Sequence, residues 1–308
     1  MSGASGPDGM GNPTYASSIR APRRGGAAWR YFGDTRNFLI SPQLLLLQVA
    51  HPVVGAGVEQ HSQFRAEPWQ RLWRTVSSLS TVIYGGQQAA TAEADRLRAV
   101  HRDMKGVDGQ GRRYHALNPE AYHWVHATLV RGAFDGHRIF GKGLDDAEAE
   151  AYYRDMRDVG RVWGLKEHHM PADWKSFCAY YDEMVRDRLE LNQSVRDVLD
   201  ELARPQKPPV RLLPGFVWRP FAALSAHYAL LVNIGTLPPV LRERLGLSWT
   251  PRQERSLRRF RRVVRVVMAL VIPPLRIAPT MAVAYWNTHK PGTDPGVRRP
   301  LGAGEQLA

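Results

Sequence analysis

Apolar residues recur at steps of three and four along most of this chain of 308 residues. In the segment PWQRLWRTVSSLSTVIYG, five apolar side chains keep this spacing: Trp69, Leu72, Val76, Leu79 and Ile83. The spacing places them on one face of an α-helix. The alternation typical of strands is nearly absent from the chain. The sequence therefore predicts an all-α fold, with roughly ten helices in a single large domain.

The two ends of the chain differ in composition from this helical part. The N-terminal stretch MSGASGPDGMGNPTYASSIRAPRRGG is rich in Gly, Ser and Pro and lacks the apolar core of a secretory signal. We predict a disordered arm over residues 1–29, a helical domain over residues 30–290 and a disordered tail over residues 291–308. No linker is long enough to divide the domain.

The single cysteine, Cys178, excludes a disulfide framework and cysteine-based zinc or iron–sulfur sites. Without a CxxCH motif, covalent c-type haem is also excluded. The most apolar late segment, residues 263–286, is interrupted by Arg265, Arg276 and three prolines and does not resemble a membrane span. We therefore expect a cytoplasmic protein, with peripheral membrane contact as an alternative.

Positive charge is concentrated late in the chain, whose formal net charge is +13. The segment RQERSLRRFRR, residues 252–262, contains six arginines and one glutamate. Such a run is either a solvated helix face or a surface for anionic lipid. Nucleic acid is a less favoured partner, because the chain has no recognisable binding motif and no basic stretch interleaved with aromatic residues.

The early stretch LLLLQVAHPVVGAGVEQHSQF places His51 directly before Pro52 and continues to Glu59 and His61. Proline has no amide hydrogen, so a helix should end or kink at His51. We expect the His51 imidazole to hydrogen-bond to a carbonyl freed at this break. The same residues also suggest a metal site formed by His51, Glu59 and His61.

Other candidates lie on predicted helices. His101 is on the apolar stripe of TAEADRLRAVHRDMKG, where a histidine is either a hydrogen-bonded core residue or a ligand. Arg71 and Thr75 lie one helical turn apart, and a buried Arg71 would need a carboxylate, a carbonyl or an anionic cofactor. Glu120 and His123 match only half of a di-iron motif. The motifs typical of hydrolases, kinases and Rossmann oxidoreductases are absent.

Several phrases, taken in order, resemble one family. They include LLLLQVAHPVVGAGVEQHSQFRAEPWQRLWRT, VHRDMKG, YHALNPEAYHWVHATLV, YYRDMRDVGRVWGL, PADWKSFCAYYDEMV, LPPVLRERLGLSW and VIPPLRIAP. The family is that of the oxygenase MpaB and the rubber oxygenase (latex-clearing protein) catalytic domain. The resemblance extends from about Tyr31 to Trp286 and implies an all-helical fold with b-type haem in a buried pocket.

The resemblance also implies roles for particular residues. His101 is the expected iron ligand, with His126 as the competitor, and Arg71 and Thr75 match the Arg-x-x-x-Thr pair near the haem. His51 and His61 are expected to line or support the pocket. The expected function is a haem-dependent oxygenase that uses molecular oxygen on a lipophilic small molecule. Glu59 matches the family's catalytic base poorly, so polyisoprene cleavage is not expected. The alternative is a haem-free helical protein that binds a ligand or the membrane periphery.

Overall fold

The computed structural model describes residues 20–61, 68–209, 214–272 and 276–277. Their fold is all-α, as predicted. Thirteen α-helices occur in these residues, and ten of them have ten or more residues, close to the expected number. The first eight are α1 Ala27–Tyr31, α2 Thr35–Phe38, α3 Ser41–Ala50, α4 Pro52–His61, α5 Pro68–Tyr84, α6 Gly86–Arg102, α7 Pro119–Phe140 and α8 Asp146–Val162. The remaining five are α9 Trp174–Asp187, α10 Gln193–Ala203, α11 Gly215–Gly235, α12 Pro239–Arg244 and α13 Pro251–Leu270.

Helix α1 begins at Ala27, inside the stretch that we predicted to be a disordered arm. Ala27, Ala28 and Trp29 are buried, and the Ala28 amide donates to the Asp155 carboxylate over 3.0 Å. The ordered part of the domain therefore starts a few residues earlier than predicted. Residues 1–19 of that arm and the whole predicted C-terminal tail lie outside the described residues. Among the described residues, no helix is both long enough and apolar enough to cross a membrane.

The predicted break between α3 and α4 is present, and His51 adopts an extended conformation immediately before Pro52. Because Pro52 has no amide hydrogen, the buried carbonyls at the end of α3 need other donors. The Trp124 indole donates to the Leu47 carbonyl over 2.9 Å, and the Asn192 side chain donates to the Val49 carbonyl over 2.7 Å. The Glu190 amide donates to the Ala50 carbonyl over 2.9 Å. The expected role of the His51 imidazole was wrong, since its partner is a carboxylate on α7, described below.

Helix α7 runs through the centre of the larger core. Asn118 caps its first turn by accepting a hydrogen bond from the Ala121 amide, and Pro119 follows at the first helical position. Two glycines let other elements approach its backbone closely. A Cβ at Gly132 would lie 2.3 Å from the Leu44 side chain, and one at Gly136 would lie 2.2 Å from Asn37. Any side chain at either position would force these neighbours away from α7.

A two-stranded antiparallel hairpin, β1 Lys105–Val107 and β2 Arg113–His115, was not predicted. Its turn is held by Asp108, whose carboxylate accepts the amides of Gln110 and Arg112. The Arg112 guanidinium also bridges Asp108 to Glu190, just after α9. The hairpin thus links the end of α6 to the segment that follows α9.

Helices α11 and α13 form a second, smaller core against the end of α7. The Tyr228 and Phe260 rings stack at 4.9 Å, and Leu231, Val232 and Leu257 pack with Ile139 and Phe140. Beyond α13, the Thr35 hydroxyl donates to the Arg276 carbonyl over 2.7 Å, and Ile277 forms a β-bridge with Asp34. The late part of the chain therefore returns to the start of the domain.

Substitution of Asn192 tests the importance of the hydrogen bonds at the proline break. Asn192→Ala removes the donor to the buried Val49 carbonyl and also the N-cap of α10. We expect the free energy of unfolding to fall by roughly 2–4 kcal/mol, the sum of an unsatisfied buried acceptor and a lost cap. The matched control, Asn118→Ala, removes only a cap and should cost about 1 kcal/mol. Urea denaturation measures the free energy of unfolding of each variant. Equal losses in Asn192→Ala and Asn118→Ala would contradict this account of the break.

Candidate functional site

Helices α5 and α6 form an antiparallel hairpin around Gly85 and Gly86, and Gly86 has a left-handed φ of 77°. The hairpin therefore brings Arg71 and His101, two of the predicted site residues, to its open end.

The His101 ring is half-buried and makes an edge contact with Tyr122 of α7, with ring centroids 6.0 Å apart. Burial lowers the pKa of His101, although the nearby Leu97 carbonyl offsets part of this effect. Neither ring nitrogen makes a well-aligned hydrogen bond to a described residue, and Nδ1 is buried. The imidazole is therefore held neutral near pH 7, in the form that ligates a metal.

Arg71 lies on the same end of the hairpin with its guanidinium largely buried. Burial, followed by the charge of Arg74, lowers the pKa of Arg71. Thr75 is exposed one turn nearer to Gly85, and its hydroxyl donates to the Arg71 carbonyl over 3.0 Å. A cation in such a position favours an anionic group nearby.

Exposed apolar side chains surround this end of the hairpin. Leu72 and Trp73 follow Arg71 on α5, and Val100 precedes His101 on α6. A neutral imidazole and a buried cation thus lie at the same end of the hairpin as these exposed apolar side chains.

His126 has a different environment, on the side of α7 that faces α8. Its Nε2 donates to the Met156 carbonyl over 2.7 Å, and its ring packs edge-on against Trp163. Complete burial lowers the pKa of His126 to about 4. This is the geometry of a core histidine whose Nε2 is occupied by a backbone hydrogen bond, while its Nδ1 is buried without a hydrogen-bond partner.

His51 is buried, and its Nε2 lies 3.3 Å from Oε1 of Glu120 on α7. Glu120 also accepts two hydrogen bonds from Arg188, at 3.1 and 2.6 Å. Burial raises the pKa of Glu120, but Arg188 and His51 more than offset this and keep it below its ordinary value. Burial lowers the pKa of His51 itself, and Glu120 partly offsets that shift. These three side chains connect the proline break to α7 and to the end of α9.

His61 lies at the opposite end of α4 from His51, where Nε2 is 3.0 Å from the Tyr114 hydroxyl. The metal site that we considered for His51, Glu59 and His61 is therefore not assembled, because its two histidines turn to different partners. In the part of the chain that the structure describes, no group of three or more His, Cys, Asp or Glu side chains could hold a metal ion. A haem iron held by one axial histidine requires no such group.

Comparison with known proteins identifies the family. The sequence profile of "ER-bound oxygenase mpaB/B'/Rubber oxygenase, catalytic domain" matches residues 29–266, which include every helix from α2 to α12. The chain belongs to this family. The resemblance seen in the sequence is thereby confirmed, and the family is oxygenase-related.

Two mycobacterial proteins are similar to this oxygenase-family chain: "Uncharacterized protein Mb2261" of Mycobacterium bovis and "Uncharacterized protein Rv2237" of Mycobacterium tuberculosis. Each is 26% identical over 231 residues, which cover 74% of this chain and 87% of the relative. No solved structure matches the chain at a significant level. The family assignment therefore rests on sequence, and the roles of individual residues stay predictions.

Several contacts in this oxygenase domain could not be found from sequence spacing. Glu120, considered above as half of a di-iron motif, instead holds His51 and Arg188. His123, its partner in that motif, stacks on Tyr180 of α9 with ring centroids 4.5 Å apart. The only signal for these contacts was the i, i+3 spacing of Glu120 and His123 on α7, which indicates a shared face but does not name the partner.

The lowered pKa values of three buried histidines on α7 predict that the folded protein loses stability at acidic pH. Burial lowers the pKa to about 3 for His123 and to about 4 for His126 and His137, below the ordinary value of 6.5. Between about pH 6.5 and 4, the unfolded chain binds these protons and the folded chain does not, so stability falls as the pH falls. His126→Gln retains an amide donor for Met156 but cannot bind a proton in this pH range. The slope of the unfolding free energy against pH should therefore fall by roughly 1.4 kcal/mol per pH unit, the contribution of about one proton.

The measurement is urea denaturation at several pH values in this window, with His227→Gln on the exposed side of α11 as the control. The control shows whether a change in slope is specific to His126. A wild-type slope in His126→Gln would show that His126 does not titrate with folding.

Proposed function

We propose that the protein is a haem-b-dependent oxygenase that uses molecular oxygen to oxidise a lipophilic small molecule. The observation that carries the proposal is the environment of His101. Its ring is neutral, braced by Tyr122, and without a well-aligned hydrogen bond among the described residues. Membership of an oxygenase family supports the same reading.

The residues at the open end of the α5–α6 hairpin fit the requirements of a b-type haem. His101 would supply the axial imidazole, and the Tyr122 ring would keep that imidazole in position. Arg71 would offer its buried charge to a propionate or to another anionic group. When bound, haem supplies the binding and activation of molecular oxygen, which no side chain of the protein provides.

The remaining predicted residues would act less directly. The Thr75 hydroxyl, which donates to the Arg71 carbonyl, would hold the α5 backbone beneath the guanidinium. His51 would support the helix break through Glu120, and His61 would support the end of α4 through Tyr114. The apolar side chains Leu72, Trp73 and Val100 favour a lipophilic substrate over a charged one.

The alternative function is a haem-free helical protein that uses this apolar surface to bind a ligand. Absorption spectroscopy separates the two functions. Protein purified from haem-supplemented cells should show a Soret band and a pyridine haemochrome. A protein with neither would leave the ligand-binding alternative.

Substitution of the two competing histidines tests the axial assignment. His101→Ala should abolish the Soret band, because it removes the only ligand that we assign to the iron. His126→Gln should retain the band, because its hydrogen bond to Met156 is a core contact. Circular dichroism confirms that each variant is folded. A Soret band that persists in His101→Ala and disappears in His126→Gln would move the ligand to α7.

Arg71 and Arg74 provide a matched pair of cations on α5. Arg71→Ala should weaken haem retention about tenfold, the loss expected for one charge-assisted contact. It should also lower the reduction potential, because a nearby positive charge favours the ferrous over the ferric state. Arg74 is exposed, and Arg74→Ala should change neither quantity. Equal effects of the two substitutions in haem-transfer assays and redox titrations would contradict a specific role for Arg71.

A further inference from the structure

Six of the seven arginines of α13 divide into two groups with different surroundings. Arg265 donates to the carbonyls of Arg138 and Ile139 over 3.0 Å each, and Arg261 reaches the Ile139 carbonyl at 3.5 Å. These two residues satisfy carbonyls in the last turn of α7. The outward-facing group, here called the arginine collar, lines one shallow surface groove: Arg255, Arg258, Arg259 and Arg262.

The arginine collar is almost without negative charge to balance it. Glu254 is the one acidic residue of α13, and it lies 3.4 Å from Arg258 and accepts a hydrogen bond from Trp249. Arg255, Arg259 and Arg262 are exposed and have no acidic partner among the described residues. Helix α11, which packs against α13, has no acidic residue at all. This part of the surface therefore attracts anions.

The same face of α13 becomes apolar after Arg262. The stripe that contains Arg255, Arg259 and Arg262 continues at helical spacing to Val266 and Leu270, and Leu270 is 80% exposed. From Val263 to Leu270 this apolar half extends about 10 Å along the helix axis. On this face of α13, charged and apolar residues are thus separated along the length of the helix.

Helix α11 adds apolar side chains at the same end. A Cβ at Gly235 would lie 2.7 Å from Leu257, and Tyr228 stacks on Phe260, so α11 and α13 are antiparallel. Leu224 precedes Tyr228 by four residues and Val264 follows Phe260 by four residues, so the antiparallel arrangement places them at the same level. The exposed start of α11 therefore lies beside the exposed end of α13. Together these exposed side chains form what is here called the apolar tip: Phe216, Phe221, Leu224, Val263, Val266, Val267, Leu270 and Ile272.

We propose that the apolar tip inserts into the interface of an anionic membrane while the arginine collar binds the lipid phosphates. A bilayer offers both environments in the observed order, with acyl chains inside the phosphate layer. Arginine stems can extend along apolar surface while the guanidinium remains at the phosphates. The geometry favours this partner over nucleic acid, because nucleic acid would pair with the collar and leave the aliphatic tip in water. A second copy would place two unneutralised arginine collars near each other.

Vesicle flotation with the full chain tests the proposal. The probe is vesicles of equal parts phosphatidylglycerol and phosphatidylcholine, compared with phosphatidylcholine alone. The collar variant Arg255→Glu, Arg259→Glu and Arg262→Glu should bind the anionic vesicles at least about 100-fold more weakly, since each arginine contributes roughly fivefold. Its control reverses three exposed arginines elsewhere, Arg113, Arg154 and Arg196, and should bind much more tightly than the collar variant.

The tip variant Val266→Ser and Leu270→Ser should bind at least about tenfold more weakly, because it removes apolar area without changing charge. Its control is Val107→Ser and Leu191→Ser, which alters exposed apolar residues away from α11 and α13. Undiminished vesicle binding by the tip variant would overturn the proposal. So would losses shared equally by both controls, binding to duplex DNA with none to vesicles, or a dimer that the tip variant converts to a monomer without affecting lipid binding.

A fluorescence measurement reports insertion without depending on a loss of binding. Leu270→Cys in a Cys178→Ser background, labelled with an environment-sensitive fluorophore, should shift to the blue on anionic vesicles. The same label at Val107→Cys should not shift. A label at residue 270 that remains in water while the protein is bound would contradict insertion of the apolar tip. Neither result depends on the haem proposal.

Discussion

The interruption of a buried helix at Pro52 is the constraint on which the rest of the fold depends. A chain that ends α3 inside the core must supply hydrogen-bond donors for the carbonyls exposed there. Trp124 from α7, Asn192 before α10 and the Glu190 backbone amide supply them. The break therefore fixes three distant segments around one point. A Cβ at Gly55, one turn into α4, would lie 2.4 Å from the Asn192 amide, so this junction also requires a glycine.

The contacts at that junction fix the position of α7, and α7 in turn provides the ring that His101 of the proposed site contacts. Trp124 anchors α7 to the end of α3, and Glu120, one turn earlier, holds His51 on the other side of the break. Tyr122 lies between these two residues in sequence and provides the surface against which His101 rests. The side chains that brace the core and the side chain that His101 contacts are thus neighbours on one turn of α7.

Much of the fold could be predicted from the sequence, because helical periodicity and the Pro52 break are local signals. The β1–β2 hairpin was missed because strands of three residues are too short to show alternation, and its stability comes from Asp108, Arg112 and the distant Glu190. The pairing of His51 with Glu120 was missed for a related reason, since 69 residues separate them. Helical spacing indicates which residues share a face, whereas the identity of the partner depends on tertiary packing.

The same limit applies to the candidate site and to the arginine run. Sequence reasoning named both His101 and His126, and only the structure shows that His126 donates to Met156 whereas His101 has no aligned partner among the described residues. Likewise, the run of arginines does not reveal from its composition that Arg261 points inward to the end of α7. The physical difference in each case is the direction of a side chain relative to distant backbone.

The central claim, that His101 supplies the axial ligand of a haem, is tested most directly by chemical rescue. In His101→Gly the imidazole is removed and a space of its shape is left beside Tyr122. The account predicts that this variant loses the axial-histidine spectrum and that added imidazole restores it. A His101→Gly protein with the unchanged wild-type spectrum before imidazole is added would contradict the claim.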